Sequence, residues 1–189
     1  TQRIGGHALT VLGAPRVETT ELGPAVAFDG STDGLVFPVN PLAGLREFTF
    51  EILFKPQAGG LPEQRFVHCE VTGRPDRAMV ETRLTPDGQW YLDTYLRTGA
   101  SGQALIVPTA LHPVDRWYWV ALTYDGRTMR HFVDGQLEAS AEFAMAALGP
   151  GRMGLGVRLN QMHWFKGRVR EIRVHPRALP PQQLQRTRG

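Results

Sequence analysis

Trp117-Tyr118-Trp119-Val120-Ala121-Leu122-Thr123-Tyr124-Asp125-Gly126 decides how this chain is read. Aromatic and β-branched residues suit a pleated, half-buried surface. Trp117 and Trp119 alternate with Tyr118, so one face of the resulting strand is very apolar. Asp125-Gly126 then supplies a tight turn. Glycine accepts the positive φ such a turn needs, and aspartate tolerates the position before it. A second run, Met129 to Val133, follows at once, and the two read as a hairpin. Val133-Asp134-Gly135-Gln136-Leu137-Glu138 reads as another.

The same grammar recurs outward from this stretch. Asp29-Gly30, Asp33-Gly34 and Asp87-Gly88 mark further turns in a chain with 21 glycines and 14 prolines. Phe48, Phe50, Ile52 and Phe54 fall on one face of a strand at period 2. Many short strands between regular turns predict a sandwich or a barrel. Helix signals are few. Leu179 to Gln185 is compatible with one terminal turn, since proline is tolerated at a helix start. Ala139 to Leu148 has helix-forming composition but is short and poorly capped, and a strand followed by a loop fits it equally. No repeat or linker divides the 189 residues, so a single domain over 1–189 is expected. The last residues, 185–189, are expected to fray.

Composition is that of a globular protein, 42% apolar and 21% charged. Cys69 is the only cysteine, so no intramolecular disulfide can form. It reads as a small hydrophobe in a strand. No run approaches the roughly 20 apolar residues of a membrane helix, and no membrane span is expected. The chain starts at Thr1 without a signal-peptide pattern, as a mature or trimmed product would. Formal charge is +3, from 21 basic and 18 acidic residues. The densest basic stretch holds Arg168, Arg170, Arg173 and Arg177. It is either a solvated strand face or an anion-binding stripe. No nucleic-acid motif accompanies it, and a nucleic-acid partner is not expected.

Three segments, in order, resemble the concanavalin A-like lectin/glucanase superfamily in its laminin G-like, pentraxin-like form. Ala25 to Phe37 (AVAFDGSTDGLVF) followed by Phe48 to Pro56 is similar to the family's early strands. Trp117 to Gly126 with Phe132 to Gly135 is similar to its WxHVAxTYDG…YVDG hairpin. Phe165 to Leu179 (FKGRVREIRVHPRAL) is similar to its late FxGxIDxVRIYxRAL strand. The resemblance implies an all-β, two-sheet antiparallel jelly-roll sandwich. In that topology the third segment is expected to pair near a strand around His7 to Leu12, closing the sandwich.

Members of the superfamily include lectins, carbohydrate-binding modules, hydrolases and lyases, so fold does not give function. Its retaining glucanases carry an ExDxE strand, whose spacing sets two carboxylates on one face about 5 Å apart. Here Glu51, Glu70, Glu81 and Asp93 each stand alone, which argues against that chemistry, although carboxylates on adjacent strands can still meet. The lyase pattern, QxH plus RxExR, is also absent. If the chain is an enzyme, His68, Glu81, Arg83 and Tyr95 are its candidate catalytic residues.

Sugar binding asks for an exposed aromatic ring beside planar hydrogen-bonding groups. Trp90, Tyr91 and Tyr95 with Asp93 and Arg97 are candidates; Trp90 follows an Asp-Gly turn and reads equally as core. Asn160, Gln161, His163 and Trp164 form a second set, in a loop, with Trp164 expected to be partly exposed beside Phe165. If the strands carrying Glu51, His68, Glu70, Glu81, Arg83, Asp93 and Tyr95 lie side by side, they build a polar patch. The bland reading of that patch is cross-strand ion pairing on a solvated face.

The resemblance also implies a structural calcium ion, held by oxygen ligands at the sandwich edge. Asp29, Asp33 and Glu171 are the matching positions, but Arg170 stands where relatives place an aspartate. The six histidines lack HxH or HxxxH spacing, and zinc is not expected. The leading expectation is a non-catalytic carbohydrate-binding or adhesion-type module of a bacterial exported protein, extracellular, periplasmic or on the cell surface, with an oligo- or polysaccharide partner. The alternatives are a polysaccharide lyase or glycoside hydrolase, and a protein-interaction domain.

Overall fold

A computed structural model describes residues 3–4 and 6–187 of the chain. In chain order its strands are β1 (Arg3–Ile4), β2 (His7–Ala8), β3 (Thr10–Leu12), β4 (Arg16–Thr20), β5 (Gly23–Asp29), β6 (Gly34–Phe37), β7 (Phe48–Pro56), β8 (Glu63–Val71) and β9 (Arg77–Leu84). They continue with β10 (Gln89–Thr98), β11 (Ser101–Ile106), β12 (His112–Pro113), β13 (Tyr118–Tyr124), β14 (Thr128–Val133), β15 (Gln136–Glu142), β16 (Gly151–Leu155) and β17 (Lys166–His175). One 3₁₀ turn, Pro181–Gln183, falls where the proline-rich terminal turn is predicted. Residues 139–142 continue β15 and a loop follows, so the strand-then-loop reading of 139–148 holds.

The strands build two antiparallel sheets. The front sheet runs β11-β10-β9-β8-β16-β6-β3, with β12 also paired to β10; the back sheet runs β15-β14-β13-β7-β17-β5-β4. β1 and β2 pair separately. The two Asp-Gly hairpins form where they are expected. At the β14–β15 turn both Asp134 (φ 45°) and Gly135 (φ 71°) are left-handed, the geometry a two-residue hairpin loop needs.

Phe48, Phe50, Ile52 and Phe54 of β7 all point between the sheets, at 0–2% exposure. Phe54 stacks on Phe66 of the front sheet, ring centroids 4.6 Å apart, and meets Trp90 edge-on at 5.1 Å. Each such aromatic contributes roughly 1.5–3 kcal/mol by leaving water, so this seam fastens the two layers together. Cys69 lies in the same core, and burial pushes its thiol pKa up, so it packs as an apolar residue rather than reacting.

The expected closure is wrong in one respect. β17 lies between β7 and β5, while residues 10–12 pair with β6 at the edge of the opposite sheet. The longer strand Gly23–Asp29 takes the place assigned to His7–Leu12. β17 pairs with Gly23–Asp29 at four positions, Lys166 to Val169, and with β7 from Gly167 to His175.

The C-terminal segment is also better held than expected through Thr187. Gln185 N–H donates to Glu51 (2.7 Å), and Thr187 N–H and hydroxyl donate to Asp134 (3.0 and 2.8 Å). Residues 188–189 lie outside the described residues. No helix among the described residues is long and apolar enough to cross a membrane.

Candidate functional site

Three rungs of side chains cross the outer face of the front sheet. One is Arg97, Arg77, Glu70 and Arg152; the next is Tyr95, Met79, His68 and Gly154; the third is Asp93 opposite Glu81, with Tyr91, Arg83 and Glu63 one step further on. A bulge makes this face polar along the whole of β8. Between Gln64 and Val67 that strand carries one residue more than its partner β9. Even-numbered residues face the core before the bulge and odd-numbered ones after it. Glu63, Arg65, His68 and Glu70 therefore all point outward, which strict alternation forbids.

The third rung is a network of buried charge. Arg83 contacts Asp93 (2.9 and 2.7 Å) and reaches Glu63 with its other arm. Arg65 sits 3.0 Å from Glu81, which also lies 3.8 Å from Arg83. Glu81 and Asp93 are 2% and 3% exposed. Burial first, then the charge of Asp93, raises the Glu81 pKa to about 7 despite both arginines. Burial likewise raises that of Asp93, against Arg83. At Glu63 burial is outweighed by Arg83, and the carboxyl lies below the usual range.

The segment between β16 and β17 folds over one edge of this face. Leu159 N–H donates to His68 Nδ1 (3.1 Å), and the His163 carbonyl accepts from Arg65 N–H (2.9 Å). Gln161 and His163 both have left-handed φ, 59° and 60°, so the loop is held in a tight, sparsely populated form. His163 Nδ1 stands 3.7 Å from Glu63; burial and Arg65 lower its pKa. Trp164 is half-buried beside the fully buried Phe165, and Asn160 is exposed. Burial and the nearby arginines, Arg158 foremost, depress the His68 pKa to about 3. The neutral ring therefore accepts at Nδ1 and carries its proton on Nε2, which has no partner.

Of the sequence candidates, His68, Glu70, Glu81, Arg83, Asp93, Tyr95 and Arg97 thus share one face, with His163 above it. Tyr95 lies under the Arg77 guanidinium (5.1 Å to the ring centre), and Gly102 of β11 leaves room beside its ring. Arg97 donates to the Gly99 carbonyl, and Glu70 pairs with Arg152 at 2.6 Å.

Two candidates do not belong. Trp90 is fully buried against Phe54 and Tyr118, because inward alternation from Gln89 makes it, Leu92 and Leu96 core residues. Glu51 lies on the outer face of the other sheet, 1% exposed, where His175 and Gln185 N–H hold it under the C-terminal segment. Arg65, Arg77, Arg158 and Glu63 were not singled out in the sequence. The bulge and the loop that assemble them leave no local pattern.

The implied calcium ligands do not converge. Asp29 accepts five hydrogen bonds, from the N–H and hydroxyl groups of Ser31 and Thr32 and from Asp33 N–H. Burial opposes its charge, but these donors, Ser31 first, win and hold its carboxyl well below the usual range. Asp33 accepts from Ala14 and Asp29 N–H. Glu171 is clamped by Arg170 (3.1 Å) and Arg173 (2.6 Å), five residues along β17 from the position paired with Asp29. The oxygens are spent on N–H and O–H donors, and the donor set does not fit the ion. No group of three or more metal-ligating side chains occurs among the described residues.

The arginine stripe is largely neutralised in place. Arg168 pairs with Glu18 (2.7 Å), Arg170 binds the Leu22 carbonyl and Glu171, and Arg173 lies over Trp119 at 5.1 Å. Next to it, on the outer face of the back sheet, runs a groove of about 960 Å³ floored by Trp117, Trp119 and Leu53. The two indoles are only 9% and 7% exposed, and Trp117 Nε1–H donates to Glu21 (2.7 Å). Little ring surface is left there to stack on a ligand.

A family model described as the concanavalin A-like lectin/glucanases superfamily (Laminin_G_3) matches residues 29–185. No curated protein sequence is significantly similar. Among solved structures, the chain is similar to the heptameric SAP-like pentraxin of Limulus polyphemus (18% identity, TM-score 0.68, 84% of this chain and 78% of that one). It is similar to domain 4 of AbnA, an extracellular arabinanase of Geobacillus stearothermophilus, in complex with arabinotriose (18%, 0.64, 95% and 87%). It is also similar to the sialidase CBM40 of Ruminococcus gnavus bound to α2,6-sialyllactose (20%, 0.59, 74% and 82%).

Proposed function

The chain belongs to the concanavalin A-like lectin/glucanase superfamily, and on that premise we propose that it is a non-catalytic saccharide-binding module of an exported protein, using the outer face of its front sheet. The observation that carries the reading is that face itself. Tyr91 and Tyr95 lie partly exposed beside Arg77, Arg83 and Arg97, on a sheet whose charged groups are locked together beneath them. An aromatic ring presents a flat apolar surface to sugar C–H groups, and guanidinium forks reach neighbouring hydroxyls. Fixed side chains also lose little entropy when a flexible oligosaccharide binds. That two fold neighbours are held with arabinotriose and sialyllactose supports the reading.

The hydrolytic alternative rests on Glu81 facing Asp93 across the strands, one of them protonated near neutrality, which is the pairing that glycoside cleavage uses. Both carboxyls are almost wholly buried and clamped by arginine, so a glycosidic oxygen has no path to them. Binding is favoured for that reason. The test is a glycan array with and without calcium, alongside incubation with glucan and uronate polymers. Binding without shortening of the polymers is expected. Absence of binding to every glycan class overturns the proposal, and cleavage transfers it to the enzyme reading.

A further inference from the structure

The front-sheet face has a surplus of guanidinium at one end. Arg65 and Arg77 oppose the charge of Arg158, which Glu81 and Glu70 partly offset, and all three arginines act on His68, beside which the Leu159 N–H is seated. The neighbouring carboxylates are already committed. Glu70 is paired with Arg152, and Glu63 and Asp93 are held by Arg83. Arg65 is held by Glu63 (3.4 Å) and by Glu81 (3.0 Å), and Glu81 holds its own proton near neutral pH. Arg77 donates to the Pro75 carbonyl and lies over Tyr95, with its Nε unpartnered; Arg158 has no ion pair among the described residues. Below them, Arg65 NH1 and the 3%-exposed His68, whose Nε2 carries the ring proton, are donors without acceptors. Two guanidiniums without a carboxylate partner among the described residues, Arg77 and Arg158, thus stand beside the paired Arg65 and a neutral N–H donor, in partly desolvated surroundings where a charge-assisted hydrogen bond is strong.

We propose that the saccharide this face takes is acidic, and that its carboxylate or sulfate group seats between Arg77 and Arg158 at the Tyr95–His68 rung. The inference rests on the saccharide-binding reading and adds the chemical class of the ligand. Arg77 and Arg158 are partly exposed and make the contact, while Arg65 and His68 supply positive potential and a fixed N–H from beneath. An anion there relieves the mutual repulsion of the guanidiniums, an energy gain that a neutral sugar cannot supply.

The experiment is titration calorimetry of the whole chain against matched pairs. These are sialyllactose and lactose, trigalacturonate and its carboxyl-reduced form, and a sulfated glycosaminoglycan disaccharide and its desulfated form. Binding of an acidic member and not of its neutral partner is expected, and the pair that responds separates carboxylate from sulfate. Arg158→Ala should weaken that binding about ten- to a hundredfold, the usual cost of losing a hydrogen bond to a charged group. Arg77→Gln should act likewise, and both variants should keep the thermal midpoint of the parent within a few degrees. Equal affinity for acidic and neutral partners, unmoved by Arg158→Ala, overturns the inference and leaves saccharide binding standing. No binding to any of the six overturns the inference, while saccharide binding itself stands or falls with the glycan array.

Discussion

Replacing His131 by leucine, together with Thr94→Val, should make the protein's stability less sensitive to acid. His131 projects from β14 into the space between the sheets, 0% exposed, with Nδ1 3.1 Å from the Thr94 hydroxyl. Desolvation alone lowers its pKa from 6.5 to about 4. The folded state therefore keeps the ring neutral while the unfolded chain takes up a proton from pH 6.5 downward. Stability from this group is complete above pH 6.5 and is lost as pH falls toward 4. At roughly 1.4 kcal/mol per pH unit, the loss between pH 7 and pH 5 is about 2 kcal/mol. Leucine has a similar volume and no proton to gain, and valine at 94 removes the hydroxyl that would otherwise lose its partner. His68 and Glu81 titrate in the same window but are unchanged in the variant, so they cancel in the comparison. The assay is urea unfolding of parent and double variant at pH 7 and pH 5. The parent should lose about 2 kcal/mol more than the variant over that interval. Parallel losses, within about 0.5 kcal/mol, would refute the reasoning that burial keeps this ring neutral.

Other outcomes follow from the same structure. Ionising Glu81 places a negative charge under the proposed anion site, among Arg65, Arg83 and Asp93. Affinity for an acidic saccharide should therefore rise as pH falls through about 7, and the rise should vanish in Glu81→Gln; calorimetry at pH 6 and pH 8 checks it. Asp29→Ala removes five hydrogen bonds from the turn before β6 and should destabilise by a few kcal/mol, equally with calcium and with chelator, as read by thermal unfolding. Asp134→Ala strips the acceptor from Trp119 and Thr187 N–H groups; about 1–3 kcal/mol should be lost, and residues 185–187 should exchange their amide hydrogens faster. Trp90→Ala should cost about 3–5 kcal/mol in unfolding while leaving the affinity of the remaining folded protein unchanged, as a core residue must.

Much of the fold was legible because its causes are local. Period-2 burial in Phe48 to Phe54 and the φ > 0 demands of Asp125-Gly126 and Asp134-Gly135 are properties of a few adjacent residues. They produce the same strands and turns wherever the sheet places them. The grouping of Glu81, Arg83 and Asp93 was legible too, since β9 and β10 are joined by a short turn and their register follows from it. Glu51 was misplaced because alternation says that a side chain points away from the core without saying which sheet it leaves.

The sequence by itself thus determined a two-layer β sandwich, its hairpins and its central aromatic seam, through contacts between neighbours along the chain. Tertiary structure decided the rest. It set β17 beside Gly23–Asp29 rather than His7–Leu12. It spent the calcium-like carboxylates Asp29, Asp33 and Glu171 on N–H, O–H and guanidinium donors. Through the extra residue in β8 and the 156–165 loop, it brought Arg65, His68, Arg77 and Arg158 together. The reason is physical: these partners are separated by up to about ninety residues, and their meeting depends on register and loop path, which no short window of sequence records.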